Sequence, residues 1–329
     1  MQGIFMKANI FSFLQNKKIS RKDFLKFSFK TVLSFIAANA LFKFFLPKAY
    51  ASAGRPKRSI KGSYDLVVAK GSDPYLSTIK AVAAIGGMSR FVKKGDTVVV
   101  KPNIGWDRTP EQAGNTNPMV VAALVELCYK AGAKRVNVFD LPCNDARRCY
   151  ATSGIEAAAK EKGAYVYFAD KWNTLEAGFT YKSPMQGWPI LRDAVECDTF
   201  INVPILKHHG LTGLTLSMKN LMGVCGGNRG SMHGDIGVKL ADVADFIKPE
   251  LTVIDAHRVL LRNGPTGGDL ADVETRNTVI VGTDFVLADA YAAQFMGYDP
   301  MAITYIKEAA GRNLGSADIA GANITNIVV

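Results

Sequence analysis

From Tyr64 to the C-terminus, short β-branched runs alternate with longer stretches that carry apolar residues at helical spacing. The runs Leu66–Ala69, Thr97–Val100, Arg135–Phe139, Tyr165–Phe168, Thr199–Val203, Leu251–Ile254, Thr278–Val281 and Ile324–Val329 predict strands. The spacing predicts helices over Tyr75–Phe91 and over Met119–Ala131, where Gly132 supplies a stop. Strands that are apolar on both faces and separated by helices indicate an α/β fold, with a mostly parallel sheet and helices on both of its faces. Residues 205–236 break the rhythm. They are glycine-rich and helix-poor apart from Leu214–Met222, which marks an active-site excursion rather than a linker.

The first fifty residues follow another pattern. Ser20-Arg21-Lys22-Asp23-Phe24-Leu25-Lys26 resembles a twin-arginine export signal with lysine at the second arginine. It is followed by the apolar run Thr31–Leu46, interrupted by Lys43, and by the small-x-small site Ala49-Tyr50-Ala51. The expected organisation is a leader over 1–51, a basic solvated tail over 52–63 and a single α/β domain, of one body or two lobes, over 64–329. The chain is then exported to the periplasm by the twin-arginine machinery, or stays membrane-anchored if the leader is not cleaved.

The leader also changes the charge argument. Of 40 basic and 29 acidic residues, nine and one lie in residues 1–51, leaving 31 and 28 in the mature chain. So small an excess, with no basic stripe of interleaved aromatics, argues against nucleic-acid binding. The five cysteines are Cys128, Cys143, Cys149, Cys197 and Cys225. Cys143 and Cys149 are close enough in sequence to pair in an oxidising compartment. No Cys-x-x-Cys occurs, so no iron–sulfur cluster is expected.

Polar residues follow several predicted strands directly, Lys101-Pro102-Asn103, Asp140 and Asp255-Ala256-His257, and Lys207-His208-His209 comes shortly after another. In open α/β sheets ligands bind outside the carboxyl ends of the strands, so the site is expected there. All four histidines, His208, His209, His233 and His257, fall within one fifty-residue stretch. Imidazole titrates near neutrality and is the commonest metal ligand, so these four are the candidate metal set. Lys219 and Asn220 stand within an apolar run, where a lysine must snorkel, be paired, or act as an amine of lowered pKa. The loop Gly223–Gly230 exposes backbone N–H groups able to cradle an anion, without the phosphate-loop pattern. Asp284 is read as a helix N-cap or a ligand. A nucleophile-elbow hydrolase and a dinucleotide fold both lack their motifs.

Taken together, Lys101-Pro102-Asn103, Asn117-Pro118, Asn202-Val203-Pro204 with Lys207 and His209, and Ser217–Gly223 resemble the family called domain of unknown function 362. His233, Ile254-Asp255-Ala256, Gly264-Pro265 with Gly267, and Gly282-Thr283-Asp284 with Asp289 extend that likeness over nearly all of the mature chain. Relatives that carry an added ferredoxin-like cysteine segment imply a redox-complex partner; this chain lacks those cysteines. The order His209, Lys219, His233 is similar to nickel-dependent lactate racemase. That resemblance implies a metal or organometal cofactor, with lysine holding it and histidines as ligand and acid–base groups.

The expected function is therefore metal-dependent, racemase- or isomerase-like chemistry on a small oxyanionic substrate. His209, Lys219 and His233 are the catalytic candidates, Lys101, Asn103, Lys207, Asn220 and Asp255 bind substrate, and histidines hold a divalent metal. A non-catalytic periplasmic ligand- or metal-binding protein and an accessory protein of a redox complex are the alternatives.

Overall fold

The computed structural model describes residues 50–52, 54–56 and 64–329. The leader other than Tyr50 and Ala51, and the basic residues Lys57, Arg58 and Lys61, lie outside the described residues. Residues Tyr50–Val329 form one compact unit.

Thirteen strands are present among the described residues. They are β1 (Tyr50–Ser52), β2 (Leu66–Lys70), β3 (Thr97–Pro102), β4 (Arg135–Val138), β5 (Tyr165–Val166), β6 (Thr174–Gly178) and β7 (Pro189–Leu191). Then follow β8 (Thr199–Val203), β9 (Ile205–His209), β10 (Gly213–Thr215), β11 (Leu251–Leu260), β12 (Val273–Gly282) and β13 (Ile324–Val328). The main sheet runs in the order β13-β2-β12-β11-β8-β3-β4-β5, with β9 and β10 joined to it through β11. Along that path only β12 is antiparallel to its neighbours, so the sheet is mostly parallel, as the two-sided apolar runs predict.

Helices cover both faces. Helices α1 (Pro74–Ala84), α2 (Pro118–Lys130), α3 (Ala146–Thr152) and α4 (Ile155–Glu161) share one core with Val67, Ala69, Val98 and Val100. The alternate residues Leu66, Val68 and Val99 face the other core, shared with α5 (Arg192–Glu196), α6 (Ser217–Asn220), α7 (Ile236–Ile247), α8 (Phe285–Phe295) and α9 (Thr304–Gly311). Successive strand residues thus feed opposite layers, which is what a period of two requires.

Three expectations change. The helix expected over Tyr75–Phe91 ends at Ala84, because Gly86 and Gly87 adopt φ of 106° and 82°. Cys143 and Cys149 are both free thiols rather than a disulfide. The basic tail is not wholly solvated. Strand β1 pairs in parallel with β6, and Arg55 is 2% exposed. Its guanidinium reaches the carboxylate of Glu250 at 2.7 Å and donates to the carbonyls of Cys197, Asp198, Ile247 and Lys248. A buried arginine is tolerated only when its donors are met in this way.

The site is opened by Pro204. Strand β8 pairs with both β3 and β11, whereas β9, one residue further on, pairs with β11 and the hairpin strand β10. Beyond the end of β3 the chain therefore diverges, and polar side chains from β3, from β9 and from just past β4 border the gap.

Candidate functional site

A cavity of about 400 Å³ lies at these strand ends, lined by Lys101, Asn103, Asp140, Lys207, His209, Thr215, Lys219, Asn220, Arg229 and His233, among others. Its floor is a closed hydrogen-bond network. Lys101, fully buried, pairs with Asp140 at 2.8 Å and donates to the Pro102 carbonyl and to Asn220 Oδ1. Asp140 also accepts the N–H of Ile104 at 2.7 Å and of Leu141 at 2.9 Å. The Asn220 amide donates to the Lys101 carbonyl and to Asn202 Oδ1, while its oxygen accepts from Lys101 and Asn103. Burial lowers the Lys101 pKa and the Asp140 charge opposes that shift. Gly223 closes over the pair. A Cβ there would lie 2.6 Å from Lys101 Nζ and would also overlap the Asp140 carboxylate.

Short helix α6 carries Lys219 and is held from behind. Asp289 accepts the N–H groups of Ser217 and Met218, at 2.7 and 3.1 Å, so it caps the helix. Burial raises its pKa to about 7 despite those bonds. The helix expected from Leu214 begins only at Ser217, because Gly213–Thr215 is instead paired to β9 as β10.

The cavity wall is charged and poorly compensated. Among the described residues no carboxylate pairs with Lys207, Lys219 or Arg229. Lys207 donates to the carbonyls of Gly114 at 2.6 Å and Pro265 at 3.0 Å, and burial with the nearby Lys219 charge lowers its pKa to about 7. Arg229 donates to the carbonyls of Leu141 and Pro142. Lys219 makes no hydrogen bond among the described residues, and burial lowers its pKa to about 8, with Arg229 and Lys101 adding to the fall and Cys143 opposing it. Beside Lys207 in the ladder, Thr215 has a buried hydroxyl without a partner.

The histidines divide. On β9, Lys207 and His209 point to the cavity and His208 to the other side, as strand alternation demands. His209 Nδ1 accepts the N–H groups of Leu211 at 3.2 Å and Thr212 at 3.3 Å, which places the ring proton on Nε2. Burial and the charges of Lys219 and Lys207 lower its pKa to about 3, so the ring is neutral and a donor. His233 is exposed at the rim; its Nδ1 lies 3.0 Å from the Gly230 carbonyl, leaving an Nε2 lone pair free.

The expected four-histidine metal set is not assembled. His208 Nδ1 accepts the Gly264 N–H, outside the cavity. His257 lies within β11, which runs on to Leu260 instead of ending at Ile254; its Nε2 is buried without a partner, and burial lowers its pKa to about 4. Among the described residues no group of three or more His, Cys, Asp or Glu side chains is arranged to hold a metal ion. A ligating histidine donates its second ring N–H to an oxygen, and His209 does the reverse. With Asp140 taken up by Lys101, the remaining three cations beside a proton-bearing imidazole fit an anion and do not fit a histidine-held divalent cation.

Of the expected substrate-binding residues, Lys101, Asn103, Lys207 and Asn220 line the cavity and Asp255 does not. Asp255 accepts the N–H of Asn117 at 2.7 Å and of His257 at 3.0 Å, so it fixes the start of α2; burial raises its pKa to about 6. Sequence reasoning passes over Thr215 and names Arg229 only as part of the glycine-rich loop. Alternation with Leu214 and Leu216 was the available signal for Thr215. Asp284 is an N-cap, accepting from Val286 and Leu287.

A thylakoid-associated protein of Synechocystis sp. is 29% identical over 225 residues, covering 62% of this chain and 66% of its own length, just under two thirds. The structure of the lactate racemase apoprotein from Thermoanaerobacterium thermosaccharolyticum is similar with a TM-score of 0.40 and 13% identity, over 72% of this chain and 57% of that one. The model of the domain of unknown function DUF362 matches residues 98–294, which takes in β3 through most of α8 and every side chain of the cavity floor. The chain belongs to the DUF362 family.

Proposed function

We propose that this protein binds a small organic oxyanion in the cavity and transfers a proton at the carbon beside the anionic group, a racemase- or isomerase-like reaction. One observation carries the reading: among the described residues, Lys207, Lys219 and Arg229 meet in one cavity without a carboxylate partner, and Lys219 has no hydrogen-bond partner. Desolvated cations facing an empty volume are costly until an anion neutralises them. Lys207 and Lys219 bind the oxyanion, and His209 Nε2–H donates to oxygen as charge develops there during proton removal. His233, with a free Nε2 lone pair at the rim, takes the proton. No step in this scheme passes through a metal. The leader-like N-terminus, and the name of the Synechocystis relative, support an exported or membrane-associated setting. Among the described residues, no helix is long and apolar enough to cross a membrane.

The test is exchange of a carbon-bound hydrogen in deuterated buffer, followed by proton NMR over a panel of substituted carboxylates. The expected result is loss of the signal next to the carboxylate for at least one compound, slowed at least about a hundredfold by His233→Gln. Anion binding without exchange of any compound reduces the protein to a ligand-binding module.

A further inference from the structure

Most of the deepest side chains of this cavity are polar. Lys101, Lys207, His209, Thr215 and Asn220 lie deepest, each at most 5% exposed, with Met222 beside them at 8%. Three large apolar side chains stand further out, with His233. Trp106 and Leu141 are half-buried, and Leu211, at the tip of the β9–β10 hairpin, is 74% exposed. A lone exposed leucine is ordinary, but three large apolar side chains around the mouth of a cationic cavity form one apolar collar.

The collar is also held in place. The Leu211 N–H is bonded to His209 Nδ1, and the Leu141 N–H to Asp140. The Leu141 carbonyl accepts from Arg229, and the Trp106 backbone is bonded on both sides to Asn115. The rim is thus tied, for Leu141 and Leu211, to the very residues that make the cationic interior. Surfaces fixed before a ligand arrives lose little entropy on binding.

Each half is unfavourable in water by itself: cations are desolvated inside and apolar side chains are hydrated outside. A single kind of ligand relieves both. We infer that the natural ligand is an amphiphilic organic oxyanion that enters head first, its oxyanion against Lys207, Lys219 and His209 and its apolar body of several carbons against Trp106, Leu141 and Leu211. This inference rests on the anion-site reading above and adds the substrate class to it. A small inorganic anion leaves the collar wet, and a neutral apolar ligand leaves the lysines uncompensated.

The experiment is isothermal titration calorimetry of the whole protein at pH 6.5 with acetate, butanoate, hexanoate and octanoate, with sulfate as an inorganic reference. The expected result is a dissociation constant that tightens about fourfold per methylene once the body reaches the collar. Leu211→Ser, at an exposed loop tip, is expected to flatten that slope. Equal affinity along the series, with sulfate or acetate still bound, overturns the amphiphile while leaving the anion site in place. A slope that persists in Leu211→Ser overturns the assignment of the body to this collar. Failure of every anion to bind removes the anion-site reading itself.

Discussion

Lys101 and Lys219 border the same cavity, and the fold treats them in opposite ways. Lys101 is sealed into the floor with a carboxylate, an amide and a carbonyl as partners. Lys219, one residue before the asparagine that completes that floor, has none among the described residues. The pairing of one and the isolation of the other separate two roles that sequence alone runs together. A buried charge with all its partners belongs to the scaffold; a charge desolvated without a partner is waiting for a ligand.

The most damaging way to break this contrast is to remove one side of the floor. Asp140→Ala strands the Lys101 ammonium and is expected to cost about 3–5 kcal/mol of stability, read as a fall in the chemical-denaturation midpoint. Lys219→Met is expected to leave that midpoint unchanged or raise it. If the two variants lose stability equally, the distinction between floor and wall collapses.

Next in size is affinity. Loss of a charged donor from a bound oxyanion is worth about 1.5–3 kcal/mol, so Lys219→Met should weaken acetate or sulfate by roughly 10- to 150-fold in calorimetry. An unchanged affinity assigns the anion elsewhere.

A smaller effect sharpens the comparison through pH. Lys219 and Lys207 lose their protons near pH 8 and 7, far below an ordinary lysine. Anion affinity should therefore fall as pH rises from about 6.5 to 9, and Lys219→Met should erase the step near pH 8. Stability of the unliganded protein runs the other way. Between the folded pKa and that of a free lysine the unfolded chain holds more protons, so this contribution to stability grows as pH rises. Affinity that stays flat over this range contradicts the lowered pKa values.

The smallest expected effect is none. Incubation with a chelator followed by dialysis should leave anion affinity as it was, because His209 presents a proton and not a lone pair. A loss restored by a divalent cation would revive a metal site at the rim around His233.

Much of this arrangement was legible in the chain, for a physical reason. Strands buried on both faces have strong apolar signatures, so their C-terminal ends, and Lys101, Asn103 and Lys207 with them, are easy to place. The extension of β11 to Leu260 was hidden by Asp255, His257 and Arg258, which read as the end of a strand although they continue it. Clustering in sequence also overstated the histidines. His208 and His209 are neighbours, and a strand sends neighbours to opposite sides. The tautomer of His209 depends on backbone N–H groups two and three residues onward, in a hairpin whose shape no local pattern displays.

In the floor, Asn202, Asn220, Lys101 and Asp140 direct their hydrogen bonds to one another and to nearby backbone. Altering any of them means rebuilding its neighbours, whereas Lys219, Leu211 and His233 project from that base with little holding their tips. Descendants of one ancestral gene can therefore exchange these projecting groups one at a time and acquire new substrates on an unaltered foundation. Diversity within such a lineage should accumulate at the mouth of the cavity while its base stays fixed.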